Sequence, residues 1–313
     1  MASHLVDWLE ELRAPFFTAS IVPVLLGSAV VLYEGRGLDP LLMVLTLVGV
    51  VLLHAGTNIA NDYYDHTERT DDVNVGYVRP FTGGSRKIQE GRLEARAVHR
   101  AALALIAAGA VFGVVLFLLT RGPLILLFGV IGIFSGYMYS APPLRLSSRG
   151  LGELAVGLNF GLLIVLGTYY VQTLGLSWTA LAVGIPMAFL ITAVLHVNQF
   201  PDVKADGETG KATLVVRLGT ARAVITQYML IAGASLSIVV SVALRILPIW
   251  TLLGLMPLPL AVRSLYFLRA GTAAGTGKKA KAALAEACGT TVRCHLATGL
   301  LLVAGLLLSA GFG

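Results

Sequence analysis

Leu154-Ala-Val-Gly-Leu-Asn-Phe-Gly-Leu-Leu-Ile-Val-Leu-Gly-Thr-Tyr-Tyr-Val-Gln172 and, after a short break, Trp178-Thr-Ala-Leu-Ala-Val-Gly-Ile-Pro-Met-Ala-Phe-Leu-Ile-Thr-Ala-Val-Leu-His-Val-Asn198-Gln199-Phe200-Pro201 pass without one Asp, Glu, Lys or Arg. About 20 apolar residues cross a hydrocarbon core of roughly 30 Å, so this run holds two membrane spans with a turn near Gln172–Trp178. Further uncharged stretches at 14–33, 40–61, 101–120, 122–144, 223–244, 246–262 and 296–313 raise the expected count to nine. Only 13% of the chain is charged and 56% is apolar, against roughly a quarter charged in a soluble domain. The expected fold class is all-α, a polytopic membrane bundle of nine helices forming a single domain over 1–313.

Nine spans set the termini on opposite sides, and the positive-inside rule tests that count. With a cytoplasmic N-terminus, only Arg36, Arg121 and Arg245 of the 23 Lys and Arg residues fall outside, and 15 of the 17 acids fall inside. The inside connections, about 62–97, 145–153, 202–222 and 269–292, are the long ones, so the available chemistry sits on one side, with 62–97 and 202–222 as catalytic loops. The net charge of +6 is divided among loops and interleaved with acid, which argues against a nucleic-acid partner. Leu5, Trp8, Leu9 and Leu12 share a helical face, so 1–13 is expected to hold an amphipathic helix lying on the bilayer surface. Its acids Asp7, Glu10 and Glu11 beside a single Arg13 argue against a cleavable signal. Cys288 and Cys294 match no metal or redox spacing and read as small buried apolar residues.

The run from Leu154 ends in Asn198-x-x-x-Asp202, and the run from 40 ends in Asn61-Asp62-Tyr63-Tyr64-Asp65. Residues four apart share a helix face, so each run finishes by presenting two oxygen-bearing side chains together. Asp71 and Asp206 follow. Beyond each motif the order is acid, then glycine with base: Gly83-Gly84-Ser85-Arg86-Lys87 after the first, Gly210-Lys211-Ala-Thr213 after the second. Carboxylates at a membrane boundary are costly unless they face water, metal or substrate. Their oxygens suit Mg²⁺, which binds through a few carboxylates plus substrate phosphates, and no compact His/Cys cluster favours zinc. An anionic substrate approaches such acids only through cations, and Arg86, Lys87, Lys204, Lys211 and Arg217 can balance the rest. A diphosphate at the membrane face with its body in an apolar bundle describes a polyprenyl diphosphate. Its ionisation would leave an allylic cation for aromatic faces to stabilise, with Tyr139 first among candidates that include Tyr63, Tyr64, Tyr137, Phe160, Tyr169 and Tyr170.

Asn61-x-x-x-Asp65 with Asp71, Asp202-x-x-x-Asp206 with Gly210-Lys211-x-Thr213, and Tyr139-Ser-Ala-Pro-Pro143 resemble the motifs of the UbiA superfamily of intramembrane prenyltransferases. The resemblance covers nearly the whole chain. Gly150-Leu-Gly-Glu153-Leu, Gly167-Thr-Tyr-Tyr-Val-Gln172 and the stretch from Asn198 to Gly219 are most similar to its 1,4-dihydroxy-2-naphthoate branch, which serves menaquinone synthesis. It implies that Asn61, Asp65, Asp71, Asp202 and Asp206 hold Mg²⁺ and the diphosphate, supported by Asn58 and Asn198. It implies that Arg86 or Lys87, with Lys211, contact phosphate, that Tyr139 and Arg145 line the site, and that Asp65, Asp202 and Tyr139 are the catalytic group. The implied reaction moves a polyprenyl group from its diphosphate to an aromatic acceptor at the cytoplasmic face of the cell membrane. By the same resemblance that acceptor is 1,4-dihydroxy-2-naphthoate, which loses CO₂ to give demethylmenaquinone. Arg69 stands where many members place an acid, and Asn198-Gln-Phe-Pro-Asp202 stands where the branch often has Asn-Asn-x-Arg-Asp. Two other readings follow from the same residues. One is a prenyltransferase with a different acceptor, such as another quinone, a tocopherol or chlorophyll precursor, haem or an ether-lipid glycerol phosphate. The other is a transporter coupled through paired carboxylates near the bilayer midplane. Glu153 is a candidate for positioning an acceptor hydroxyl, and His54 and His196, each shortly before an acidic motif, are further functional candidates.

Overall fold

The computed structural model describes residues 2–312, and among them every regular element is helical. The chain runs α1 (Ala2–Glu11), α2 (Thr18–Tyr33), α3 (Pro40–Thr67), α4 (Thr70–Val73), α5 (Ala95–Thr120), α6 (Pro123–Tyr137), α7 (Gly152–Val156), α8 (Ile164–Thr173), α9 (Trp178–Glu208), α10 (Leu214–Leu218), α11 (Thr220–Ala243), α12 (Leu258–Ala273) and α13 (Lys278–Phe312). Among the described residues eight segments, counting helices that continue one another, are long and apolar enough to cross a membrane. The expected fourth span returns as the shorter α6, whose 15 residues rise only about 22 Å. The protein is an integral membrane protein.

The helices that carry the two motifs begin with ordinary caps and then outrun their apolar stretches. Asp39 caps α3 by accepting from the Leu41 and Leu42 amides, with Pro40 in the first turn. Ser177 caps α9 through the Ala180 amide at 3.1 Å. α3 continues to Thr67 and α9 to Glu208, so both acidic motifs are helical. Pro201 lies inside α9 and has no N–H for the Val197 carbonyl four residues earlier. The buried Cys288 thiol donates to that oxygen at 3.7 Å, which explains a cysteine expected only to fill space.

Between α7 and α8 the backbone takes a π-helical course over Gly157–Leu163. Such widened turns occur often at functional sites. Here the turn is pressed against α9: a Cβ on Gly161 would stand 2.2 Å from the Ala188 Cα, and one on Gly184 would stand 2.8 Å from the Gly161 carbonyl. Small residues thus let two backbones meet, as membrane helices often do, and Asn159 and Phe160 come to face a central cavity.

The last two expected elements differ in extent. The membrane-crossing segment near 246–262 runs Ile249–Ala273, and much of the expected loop 269–292 is the start of α13. Lys, Ala and Glu at 278–287 are good helix formers, so the basic cluster rides on a helix. α1 also divides its apolar face: Leu5 and Leu9 are exposed, while Trp8 and Leu12 pack against the Ile59, Leu93 and Val98 cluster.

Candidate active site

The ends of α3 and α9 face each other across a cavity of about 210 Å³, lined among others by Asn58, Asn61, Asp65, Asp71, Tyr139, Asn198, Asp202, Asp206 and Lys211. Nine of the twelve residues expected at the site are therefore gathered in one place. Each motif is held by a partner from the other half of the chain. The Lys211 ammonium sits 2.6 Å from Asp65 Oδ1. Asn74, in the loop after the first motif, donates to Asp202 Oδ1 at 2.8 Å. Burial works against the Lys211 charge, yet Asp65 and Asp206 outweigh it and raise its pKa above the ordinary lysine value. Asp71 is pushed up to about 9, by burial first and then by the neighbouring charges of Asp65 and Asp62.

Asn74 carried no sequence signal. Its Oδ1 accepts from the Gly76 and Tyr77 amides, turning the loop, while its Nδ2 reaches α9. Gly76 crosses so close to α9 that an added Cβ would stand 2.5 Å from the Pro201 carbonyl. Downstream, Gly83 and Gly84 take φ of +78° and +64° at the cavity wall. A side chain on Gly84 would meet the Asp62 and Asp71 carboxylates, so only glycine lets the loop lie over them.

Three expected phosphate or lining contacts are placed elsewhere. Lys87 is buried and turned to α1, with its ammonium 2.5 Å from Glu10 and 3.7 Å from both Asp7 and Glu90. The Glu10 hydrogen bond raises its pKa above the usual value. Arg145 pairs with Glu68 at 3.0 Å on the outer side of the loops. Arg86 donates to the Asp71 carbonyl at 3.1 Å and covers the Tyr77 ring at 4.5 Å, behind the cavity wall. Asp62, adjacent to the motif, accepts from the Ser85 amide at 2.7 Å, lies 3.9 Å from Arg13, and is turned away from the cavity. Among the aromatic candidates, Tyr139 and Phe160 line the cavity, whereas Tyr64 and Tyr137 hydrogen-bond each other at 2.8 Å. Tyr169 hydrogen-bonds Glu34 near the far ends of α2 and α8. Glu153 is engaged by Gln199 at 2.6 Å, and His196 by the Ala223 carbonyl at 3.0 Å.

The donors present suit a hard cation shared with a phosphate. Among the described residues no three His, Cys, Asp or Glu side chains converge closely enough to hold an ion alone. Carboxylate and amide oxygens are ligands that Mg²⁺ takes together with waters and substrate phosphates. Of the buried side-chain atoms without a hydrogen-bond partner among the described residues, two belong to the cavity wall: Asn58 Nδ2, a donor, and Asn198 Oδ1, an acceptor. Buried polar atoms left without partners usually mark a missing ion, water or ligand.

Beyond Gly136, Asn159 and Phe160 the cavity adjoins a second chamber of about 170 Å³, bounded by α3, α5, α6 and α8. Val50, Leu53, Leu116, Ile125, Phe128 and Leu163 make its wall apolar. From Gly136 to Ile125 it follows α6 for roughly 16 Å, the rise of eleven helical residues.

An acid-lined chamber opens into an apolar one within a helical membrane bundle, and the bundle matches the fold expected from the motifs. The chain belongs to the UbiA prenyltransferase family, whose model matches residues 20–286. It is a prenyltransferase. It is 35% identical over 273 residues to the 1,4-dihydroxy-2-naphthoate octaprenyltransferase of Mycobacterium tuberculosis, covering 87% of this chain and 88% of that protein. It is 28% identical over 313 residues to the Escherichia coli enzyme of the same name, covering 98% and 97%. A solved UbiA homolog from Archaeoglobus fulgidus, bound to DMAPP and Mg²⁺, shares the fold with a TM-score of 0.60 at 18% identity, covering 95% of this chain and 99% of that one. The transporter reading is set aside.

Proposed function

We propose that this chain transfers a polyprenyl group from polyprenyl diphosphate to 1,4-dihydroxy-2-naphthoate, with loss of diphosphate and CO₂. The observation that carries the reading is the junction of the two chambers. One end presents Asp65, Asp71, Asp202, Asp206 and Lys211, and the other is an apolar slot of about 170 Å³. A long allylic diphosphate is the kind of molecule that needs both. The curated relatives' names supply the acceptor.

In this reading Asn61, Asp65, Asp71, Asp202 and Asp206 hold Mg²⁺, which when bound would neutralise diphosphate charge and improve the leaving group. Lys211 contributes the fixed positive charge between the two motifs, and the Gly83–Gly84 backbone lies against the headgroup. Asn58 Nδ2 donates to a phosphate oxygen. The tail occupies the apolar chamber, which also keeps water from the cation that forms when the C–O bond breaks. Tyr139 and Phe160 present ring faces to that cation. The active site faces the cytoplasm, on the side rich in Lys and Arg.

The purified chain in lipid, given Mg²⁺ and labelled polyprenyl diphosphate, should prenylate 1,4-dihydroxy-2-naphthoate and release labelled CO₂ from a carboxyl-labelled acceptor. Transfer only to another quinone precursor, to haem or to a glycerol phosphate would replace the acceptor. Retention of the carboxyl label in the product would remove decarboxylation.

A further inference from the structure

One part of the polar cavity wall holds none of the acidic-motif residues. It is bounded by Arg13, Phe16, Ala19, His54, Phe160 and Ile191, and it meets the rest of the cavity at the neck between the chambers. His54 is buried and lines both chambers. Its Nδ1 is fixed 2.7 Å from Ser20 Oγ, and its ring is held edge-on by Phe17 and Phe160 at centroid distances of 5.5 and 4.7 Å. The imidazole therefore cannot turn freely, and Nε2 is the nitrogen left for a ligand. Other polar groups at the neck are already satisfied: Thr57 donates to the Leu53 carbonyl, and Asn159 exchanges hydrogen bonds with Ser135 at 2.8 and 3.1 Å. Nearer the loops, the Arg13 guanidinium lies over Phe16, donates through Nη2 to the Phe81 carbonyl at 3.1 Å and has Nη1 3.9 Å from Asp62, so with five N–H donors it can face a second carboxylate besides Asp62.

We propose that this region is the acceptor subsite. His54 takes the ring hydroxyl remote from the acceptor's carboxylate, Arg13 faces that carboxylate, and Phe16 and Phe160 flank the ring. The inference rests on the function proposed above. A hydroxyl suits His54 in either tautomer, donating to a bare Nε2 or accepting from a protonated one. The chemistry asks no more of it. The ring carbon bearing the carboxylate bonds to the allylic carbon as the C–O bond to diphosphate breaks and its electron pair leaves with the diphosphate. The electron pair of the C–CO₂ bond then returns to the ring as CO₂ departs, so no net proton is released. The hydroxyl that His54 holds is meta to the reacting carbon and takes no resonance share of the charge that builds there, so His54 orients the ring as a group that touches substrate and is not an obligatory base.

The test compares binding of 4-hydroxy-2-naphthoate and 2-naphthoate, which differ by that hydroxyl, to the full chain in detergent, followed by fluorescence. Wild type should prefer the hydroxylated ligand roughly tenfold, the worth of one good buried hydrogen bond. His54→Ala should lose the preference with little change for 2-naphthoate, and His54→Gln should keep part of it. Arg13→Gln should weaken both ligands alike. An unchanged elution volume and melting temperature of His54→Ala in detergent, with 2-naphthoate still bound, shows that the variant is folded. Persistence of the hydroxyl preference in His54→Ala, beside a wild type that prenylates the dihydroxynaphthoate, overturns the subsite alone. A wild type that binds both ligands with the expected preference but transfers no prenyl group to the naphthoate overturns the functional reading instead.

Discussion

The end of α3 and the end of α9 carry the same Asn-x-x-x-Asp spacing, yet the two asparagines do different work. In α3, Asn61 Nδ2 donates to Asp65 at 3.2 Å and to Ser140 at 2.9 Å, and the unpartnered buried N–H is on Asn58 one turn earlier. In α9, Asn198 itself is unpartnered, with its Oδ1 fully buried. Equal spacing thus fixes a shared face and not a shared role. The charge balance is also crossed: Asp65 is held by Lys211 from the second half, and Asp202 by Asn74 from the first. Neither half is complete alone, so the two motifs form one site only when the loops after them are exchanged in this way.

The largest expected effect comes from removing a carboxylate from either half. Asp65→Ala and Asp202→Ala should each lower turnover by on the order of a thousandfold or more, because in the proposed function each removes both a cation ligand and part of the diphosphate's environment. Both variants should still reach the membrane and bind detergent as the wild type does. Prenyl transfer from a labelled diphosphate measures the loss, and an excess of chelator over Mg²⁺ should reproduce it in the wild type. Activity that survives chelation would break the metal role for both halves at once.

Next comes the bridge between them. Lys211→Met should cost about a hundredfold in kcat/KM, roughly what one buried charge-assisted contact to a transferring phosphoryl group is worth. Lys211→Arg should restore little, because the planar guanidinium does not fit where one compact ammonium lies 2.6 Å from Asp65 and near Asp206. Full rescue by arginine would show that only net charge matters there. Asn74→Ala should have a smaller effect, raising KM for the diphosphate several-fold through loss of one hydrogen bond to a buried carboxylate. The same change made at Asn61 tests whether the two halves are as unequal as their hydrogen bonds suggest.

How much of this could be read beforehand follows from the range of each interaction. Spans, the turn near Gln172–Trp178 and the pairing of acids on one helix face depend on neighbours a few residues apart, and all were legible. The position of Asp71 six residues after Asp65 was legible through family likeness, and the structure brings it to the same cavity. Asn74, Gly76 and the Cys288–Val197 bond were not, because each pairs with α9 or α13 across more than ninety residues of chain. Helix ends were misplaced where apolar runs were used as boundaries: α3, α9 and α13 continue through charged segments that still favour helix. Arg13 was counted as an orientation signal, and only the packing of α1 against the glycine loop places it at the cavity.

Lys87 sharpens the contrast most finely, since spacing alone made it equivalent to Lys211. Both are lysines just beyond a glycine in the loop after an acidic helix end. Lys211 lies between Asp65 and Asp206, whereas Lys87 is turned outward to Glu10, Asp7 and Glu90. Removing it therefore should not touch the diphosphate directly. Lys87→Ala should leave KM for polyprenyl diphosphate within about twofold of wild type and instead free α1, leaving Asp7 with only Arg92. Hydrogen exchange over residues 5–12 should rise in the variant, because the polar ties of that helix to the loop would fall to Ser85 with Glu11 and Arg92 with Asp7. A rise in KM as large as that of Lys211→Met, with no change in exchange over α1, would mean that Lys87 swings into the cavity when the diphosphate arrives, and the two halves would then be alike in their lysines after all.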